Sequence, residues 1–338
     1  MGIVQRSIYG VKRFLHRYPS VYQLGYAAAT FNVDKFGQFM SRKRYPSQFG
    51  GMWTDRDDFQ AQLDCRDFSP ERQNQMRKWR DDGFVVLPGA IPEIDIDALN
   101  ARLADLPNSH PEGLQVTLPE NSQGIPYDPE AIAVHASARI VDCYHHFAEA
   151  RAILFAKPIL GFLKDVLATD PILTQSLSFK YGSEQPLHQD TNFVIMTSPM
   201  KFVAAWIALE DVRPGSGALQ YLPGSHRWGD FLFSGRFKHW DRERDGEEAL
   251  DEWGAWLQRE AEARRAKPEQ FFAKKGDVFL WHSGLAHGGS RITQSAATRL
   301  SLVGHYCPVG VRPLYHFYKP GQRKIYTGDN CRYTTAYY

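Results

Sequence analysis

Residues 187–193 read LHQDTNF. His188 and Asp190 stand two apart, and in an extended chain positions i and i+2 project to the same face, so an imidazole and a carboxylate would share one space. Alone, a His-x-Asp pair is weak, because short polar pairs arise by chance. A second histidine, His287 in LAHGGS, follows the strand-like GDVFLWHSG, where an antiparallel fold could return it to His188 and Asp190. Two neutral imidazoles and one carboxylate make the facial donor set of non-haem Fe(II) and leave three adjacent coordination positions open. Oxygen chemistry requires such positions.

Arg299 lies twelve residues beyond His287, in ATRLSLVGHY. A guanidinium facing a barrel interior must have an anionic partner, since an unpaired buried charge is costly. A dicarboxylate chelating the metal at one end would supply that partner at the other, through a two-toothed hydrogen bond. An Arg at a strand start with its head in solvent needs no partner, and spacing does not choose between the two.

These residues need elements to hold them. From Pro171 to about residue 312 the chain runs in short apolar stretches split by Gly, Pro and Ser: ILTQSLSFKYG, FVAAWIALEDV, GALQYLPGS, GDVFLWHSG and RLSLVGHYCPV. Short strands bounded by turn signals argue for a sandwich or barrel rather than alternating β-α-β units. Upstream, Ser69-Pro70 opens a helix that Gly83 ends, FVVLPG reads as a strand, and IDIDALNARLADL as a helix. The stretch 138–170 reads as helical throughout. Residues 229–270 break the strand texture with a charged helical segment carrying Trp253 and Trp256 on one face, an insertion suited to a lid or to surface decoration. The domain reading is an irregular, partly helical arm over 1–75, a sheet domain over 76–312 containing the 229–270 insertion, and a tail over 313–338.

Composition bounds the partners. Lys and Arg number 40 against 38 Asp and Glu, which gives no reason to expect nucleic acid. The arm is locally basic, with Arg6, Lys12, Arg13, Arg17, Arg42, Lys43 and Arg44 among aromatics, which suits either a solvated amphipathic helix or weak contact with a membrane surface. The four cysteines show no metal or disulfide spacing, the first residues lack the apolar core of a signal peptide, and no window reaches the length of a membrane span. The expectation is a soluble, cytoplasmic protein.

Taken together, DDGFVVLPGAI, HQD, AWIALEDV, GALQYLPGSHRW, GDVFLWHSGLAHGGS, and Arg299 followed six residues later by His305-Tyr306 closely resemble the phytanoyl-CoA dioxygenase family of Fe(II)- and 2-oxoglutarate-dependent oxygenases, over roughly residues 76–312. The resemblance implies an α+β fold with a mainly β core, a cupin-like double-stranded β-helix (jelly roll) with flanking N-terminal helices. It implies that His188, Asp190 and His287 ligate iron, that Arg299 anchors the far carboxylate of 2-oxoglutarate, and that Trp206 and Ser176 line the cosubstrate pocket. The implied reaction hydroxylates a small-molecule, lipid or saccharide-type substrate while 2-oxoglutarate and O2 become succinate and CO2.

Two departures stand out: relatives often carry Ser where this chain has Gly289, and the gap from His287 to Arg299 is one residue longer. No basic cluster marks a site for the phosphates of a CoA thioester. A non-catalytic cupin-like binding protein would keep the triad without needing Arg299, and a zinc hydrolase would need a Glu base that is not evident. His282 reads as a packing or supporting residue, His226 as a turn residue, and His145 and His146 as residues of the helical region with no carboxylate at ligand spacing.

Overall fold

The computed structural model describes residues 45–118, 121–134, 138–314, 324–328 and 330–335. The basic residues of the arm from Arg6 to Arg44, and with them the expectation of membrane-surface contact, fall outside the described residues. Residues from Pro46 onward form one compact unit.

Local signals set the first elements. Helix α1 (Phe59–Asp64) precedes α2 (Pro70–Asp82), where the Ser69 hydroxyl accepts from the Arg72 N–H and Gly83 closes the helix at φ +82, a left-handed conformation that glycine adopts without strain. Strand β1 (Phe84–Leu87) and helix α3 (Glu93–Ala104) follow as the sequence predicts. Then come β2 (Gln115–Leu118), β3 (Asn121–Pro126), α4 (Pro129–Val134), β4 (Arg139–Val141), α5 (Ala148–Leu154), α6 (Lys157–Leu167) and β5 (Pro171–Phe179). The helical reading of 138–170 fails at its start: Ile140 and Val141 are β-branched and pair with Ser178 and Leu177 of β5, so the stretch opens as a strand.

The remaining strands are β6 (Val203–Ala208), β7 (Leu219–Tyr221), β8 (Glu269–Phe271), β9 (Val278–His282), β10 (His287–Gly289), β11 (Ser301–Pro308), β12 (Tyr326–Thr327) and β13 (Arg332–Tyr333). A large sheet runs β1-β9-β6-β11-β5-β4-β2-β3, with β13 joined in parallel to β5, and a small antiparallel sheet runs β10-β7-β8. The two sheets sandwich a core as the jelly-roll reading expects.

β6 shows how the layers form. Val203, Ala205 and Ile207 face the helices together with Leu280 and Leu302, while Ala204, Trp206 and Ala208 face the small sheet together with Phe279, Trp281, Val303 and Tyr221. Both faces are covered, which is why the strand reads as an unbroken apolar run. Each large side chain buried there contributes roughly 1.5–3 kcal/mol relative to exposure.

The compact unit is wider than the 76–312 stretch. Trp53, Phe59 and Leu63 are buried in the helix-side core together with Trp79 and Phe162, and Trp53 stacks on Phe59 at 5.5 Å. Near the other end the Tyr144 hydroxyl donates to Thr334 O at 2.5 Å, and Thr335 Oγ1 donates to Asp142 Oδ2 at 2.5 Å, which ties the tail to β5. The insertion contains α7 (Arg242–Asp245) and α8 (Glu248–Ala263) and returns through β8 to pair with β7. Trp253 is buried, and the half-buried Trp256 packs against Phe231 at 6.0 Å. No helix among the described residues is long and apolar enough to cross a membrane.

Candidate metal centre and active site

His188 and His287 form an antiparallel bridge, each donating its N–H to the other's carbonyl at 2.8 and 2.9 Å. A pair bonded in this way places both side chains on one face of the ladder, and the rings lie 4.5 Å apart. Asp190 opens a single 3-10 turn, Asp190–Asn192, which bends the chain so that its carboxylate faces both rings. Asp190 Oδ1 lies 3.6 Å from His188 Nε2 and 3.5 Å from His287 Nε2, and the three donor atoms lie within 4.8 Å of one another. All three residues are buried.

The other polar atoms of the triad are already engaged. His188 Nδ1 lies 2.9 Å from Pro186 O and His287 Nδ1 lies 3.0 Å from Leu285 O; a carbonyl only accepts, so each Nδ1 carries a proton, and in the neutral ring Nε2 keeps the lone pair. Asp190 Oδ2 accepts from the Trp281 indole N–H at 2.8 Å. What remains is two imidazole nitrogens and one carboxylate oxygen aimed at one point, a donor set that fits a divalent iron site. Burial opposes ionisation of Asp190, yet His287 and His188 beside it hold its carboxyl below the usual range. Burial pushes His287 down to about 4, against the pull of Asp190, so its ring is neutral and free to ligate at pH 7.

Arg299 precedes β11, and its N–H donates to Lys180 O. The side chain is 3% exposed, and its guanidinium lies 5.6 Å from the Trp206 ring and 5.8 Å from the Phe179 ring. Nη2 makes one long contact, 3.4 Å, with Tyr181 O, while Nε has no partner. Glu210, the nearest acid to influence it, is committed to Thr298 Oγ1 and Leu300 N. Burial pushes Arg299 down to about 10, still charged at pH 7. No ion pair holds it among the described residues, so the buried cation fits an anionic ligand.

Trp206 lies on the inner face beside Arg299, as a pocket wall requires, with its indole N–H unpaired. Ser176 does not share that face. It pairs with Gly304, which pairs with Ala205, a residue of the helix-side core, and Ser176 Oγ faces Cys143 Sγ at 3.9 Å. A strand's side chains alternate, so an alignment loose by one residue moves a pocket residue to the opposite layer; the inner face of β5 carries Leu177 and Phe179 instead.

Two residues near the triad escaped the sequence reading. Trp281 holds Asp190, and its signal was present: a buried indole needs an acceptor, and Trp281 alternates in step with Phe279 on a strand leading to His287. His305, buried on the inner face of β11, sets its Nδ1 3.1 Å from Gln175 Oε1. The packing and turn readings of His282 and His226 agree with their burial. His145 and His146 meet edge to face at 5.2 Å, with Tyr326 beside His145, and neither belongs to the group of metal-capable side chains found among the described residues.

The departures have physical causes. A Cβ on Gly289 would come within 2.8 Å of Glu184 N and Ser183 Oγ, so the close approach of 183–186 over β10 excludes serine. In the longer gap, Thr293 and Gln294 both donate to Gly215 O at 2.9 and 3.1 Å, the arrangement of a chain carrying one residue more than its partner.

Residues 79–300 match the family model described as Phytanoyl-CoA dioxygenase (PhyH). The chain belongs to the phytanoyl-CoA dioxygenase family. It is 26% identical over 191 residues to phytanoyl-CoA dioxygenase domain-containing protein 1 of Danio rerio, covering 46% of this chain and 65% of that one. It is 24% identical over 240 residues to the peroxisomal phytanoyl-CoA dioxygenase of Homo sapiens, covering 67% of this chain and 66% of that one. The matched stretch thus spans just under two thirds of the length of these relatives. Among solved structures, the epimerase SnoN in complex with Fe3+, alpha ketoglutarate and nogalamycin RO shares the fold at a TM-score of 0.55 and 16% identity, over 78% of this chain and 98% of SnoN. The carbocyclase SnoK from nogalamycin biosynthesis shares it at 0.51 and 19%, over 72% of this chain and 85% of SnoK.

Proposed function

We propose that this protein is a non-haem Fe(II)- and 2-oxoglutarate-dependent dioxygenase that hydroxylates an unactivated carbon of a small-molecule substrate, lipid- or saccharide-like, and that His188, Asp190 and His287 hold the iron. The observation that carries the reading is the pairing of two features on one layer: three convergent donor atoms held through Trp281, and a buried guanidinium beside Trp206 with no ion pair among the described residues. A dicarboxylate long enough to reach from metal to Arg299 satisfies both.

When bound, the iron would supply the activation of O2 coupled to conversion of 2-oxoglutarate to succinate and CO2. The protein's own part is positional. Pro186 O and Leu285 O fix the imidazole tautomers, Trp281 fixes the carboxylate rotamer, and Arg299 would take the far carboxylate in a charge-assisted pair against the Trp206 face. Phe193, 39% exposed and edge-on to His188 at 5.8 Å, marks an apolar approach beside the metal loop. The insertion meets that approach: Trp240 N donates to Asn192 O at 3.0 Å and its ring lies 6.4 Å from Phe193. On this reading residues 229–270 cover the substrate mouth and exclude water during turnover.

Succinate release measured across lipid, saccharide and amino-acid-derived pools tests the function. Stimulation by one pool, lost in Asp190→Ala, is the expected result. Absence of iron and 2-oxoglutarate binding by the wild type would overturn it.

A further inference from the structure

We infer that Asp55 and His282 form a brace that positions the metal triad, so that the segment preceding the family-matched stretch is a working part of the centre. The inference rests on the reading of His188, Asp190 and His287 as ligands. His282 ends β9 and is fully buried, and Asp55, in the 3-10 turn Trp53–Asp55, is 4% exposed. A carboxylate and an imidazole removed from water cost stability unless each finds a partner. Here they find each other, 227 residues apart in sequence, with His282 Nε2 3.2 Å from Asp55 Oδ2.

The bond fixes a tautomer. His282 Nδ1 accepts from the Gly284 N–H at 3.0 Å, so it carries no proton, and Nε2 must be the N–H that donates to Asp55. Asp55 Oδ2 also accepts from Met52 N–H at 2.7 Å, which locks the 3-10 turn supplying it. The imidazole is thereby clamped between the N-terminal segment and the turn that follows β9.

That turn touches both halves of the triad. Ser283 O accepts from Thr191 N at 3.3 Å and Gly284 O accepts from Gln189 Nε2 at 2.6 Å, the two residues flanking Asp190. Leu285 O accepts from His287 Nδ1 at 3.0 Å and so sets the ring of the distal ligand. A shift of residues 283–285 would move Asp190 and His287 together. His282 is a positioning residue for the centre, and Asp55 holds it in place.

The test uses the full chain. Amide hydrogen exchange on the metal-free protein is predicted to be at least tenfold faster over 189–194 and 283–287 in Asp55→Leu and His282→Phe, with β5 unchanged, and near wild type in Asp55→Asn, which keeps an acceptor. Chelator competition should show Fe(II) held about tenfold more weakly by the same two variants and recovered in Asp55→Asn. Wild-type exchange at both segments in the variants would overturn the brace, as would an equal rise across β5. Should the removal variants not fold, native-state exchange of the wild type decides: 52–56, 189–194 and 283–287 opening as one unit supports the brace, and independent openings refute it. Failure of the wild type to bind Fe(II) would sink the metal reading, while the exchange result would still judge the brace.

Discussion

The two ends of the site are built on opposite plans. At the triad, the atoms not needed as ligands are spoken for by the protein: both Nδ1 atoms by backbone carbonyls and Asp190 Oδ2 by Trp281. At the anchor, Arg299 is as deeply buried but keeps Nε without a partner and Nη2 on one long contact. Two imidazoles and one carboxylate can wait in a preorganised cage at modest cost. A buried, unpaired guanidinium is strained in the free protein, which makes it responsive to the arrival of a carboxylate. One end is preorganised for its ion; the other is stabilised by its ligand.

Replacing Arg299 breaks this contrast most directly. Arg299→Ala deletes a charge-assisted pair and should cost about 2–5 kcal/mol of 2-oxoglutarate binding, read as a KM or Kd raised well over tenfold while iron content holds. Arg299→Met should also raise the melting temperature of the metal-free protein, since it removes an unpaired charge. Equal loss of iron and cosubstrate would show that the two ends are not separable.

The ends should also differ in their response to pH. His287 has its folded value near 4 against the usual 6.5, so between these values the unfolded chain binds a proton that the folded site refuses. Its contribution is therefore intact above pH 6.5 and is lost as pH falls toward 4, a drop on the order of 3 kcal/mol. Arg299, lowered by burial to about 10, keeps its charge throughout that window, so the anchor contributes no change there. Urea midpoints of the wild type and of His287→Ala between pH 4 and 7 check the limb; a wild-type midpoint that does not fall below pH 6.5 would contradict it.

Trp281→Phe should loosen the carboxylate rotamer and leave Asp190 Oδ2 unpaired. A hydrogen bond to a charged group is worth about 1.5–3 kcal/mol, so Fe(II) affinity should fall by 10–100-fold with 2-oxoglutarate discrimination kept. Ser176→Ala marks the smallest effect: a residue on the helix face should change cosubstrate KM by less than about twofold, and a larger rise would return it to the pocket.

The strands and the triad were legible in the sequence because both obey short-range rules. Period-two projection put His188 with Asp190, apolar runs marked β5, β6, β9 and β11, and Ser69 with Gly83 bracketed a helix. What escaped depends on parity and distance. Ser176 was misplaced because one residue of slip reverses a strand's faces. The first strand of 138–170 was hidden because three residues are too few for a period to show. Asp55, Trp281 and His305 find their partners across 227, 91 and 130 residues, and although alternation with Phe279 marks Trp281 as buried, no local pattern names the partner of any of the three.

Anaerobic titration of the full chain with Fe(II) and 2-oxoglutarate, followed in the visible range, tests the central claim that one triad and one anchor share a ligand. The wild type should develop a charge-transfer band saturating at one iron and one 2-oxoglutarate per chain. His188→Ala and Asp190→Ala, folded by circular dichroism, should give none, and Arg299→Ala should bind iron yet need far more 2-oxoglutarate to develop it. A wild type without the band, or a band of unchanged strength in either triad variant, would contradict the account.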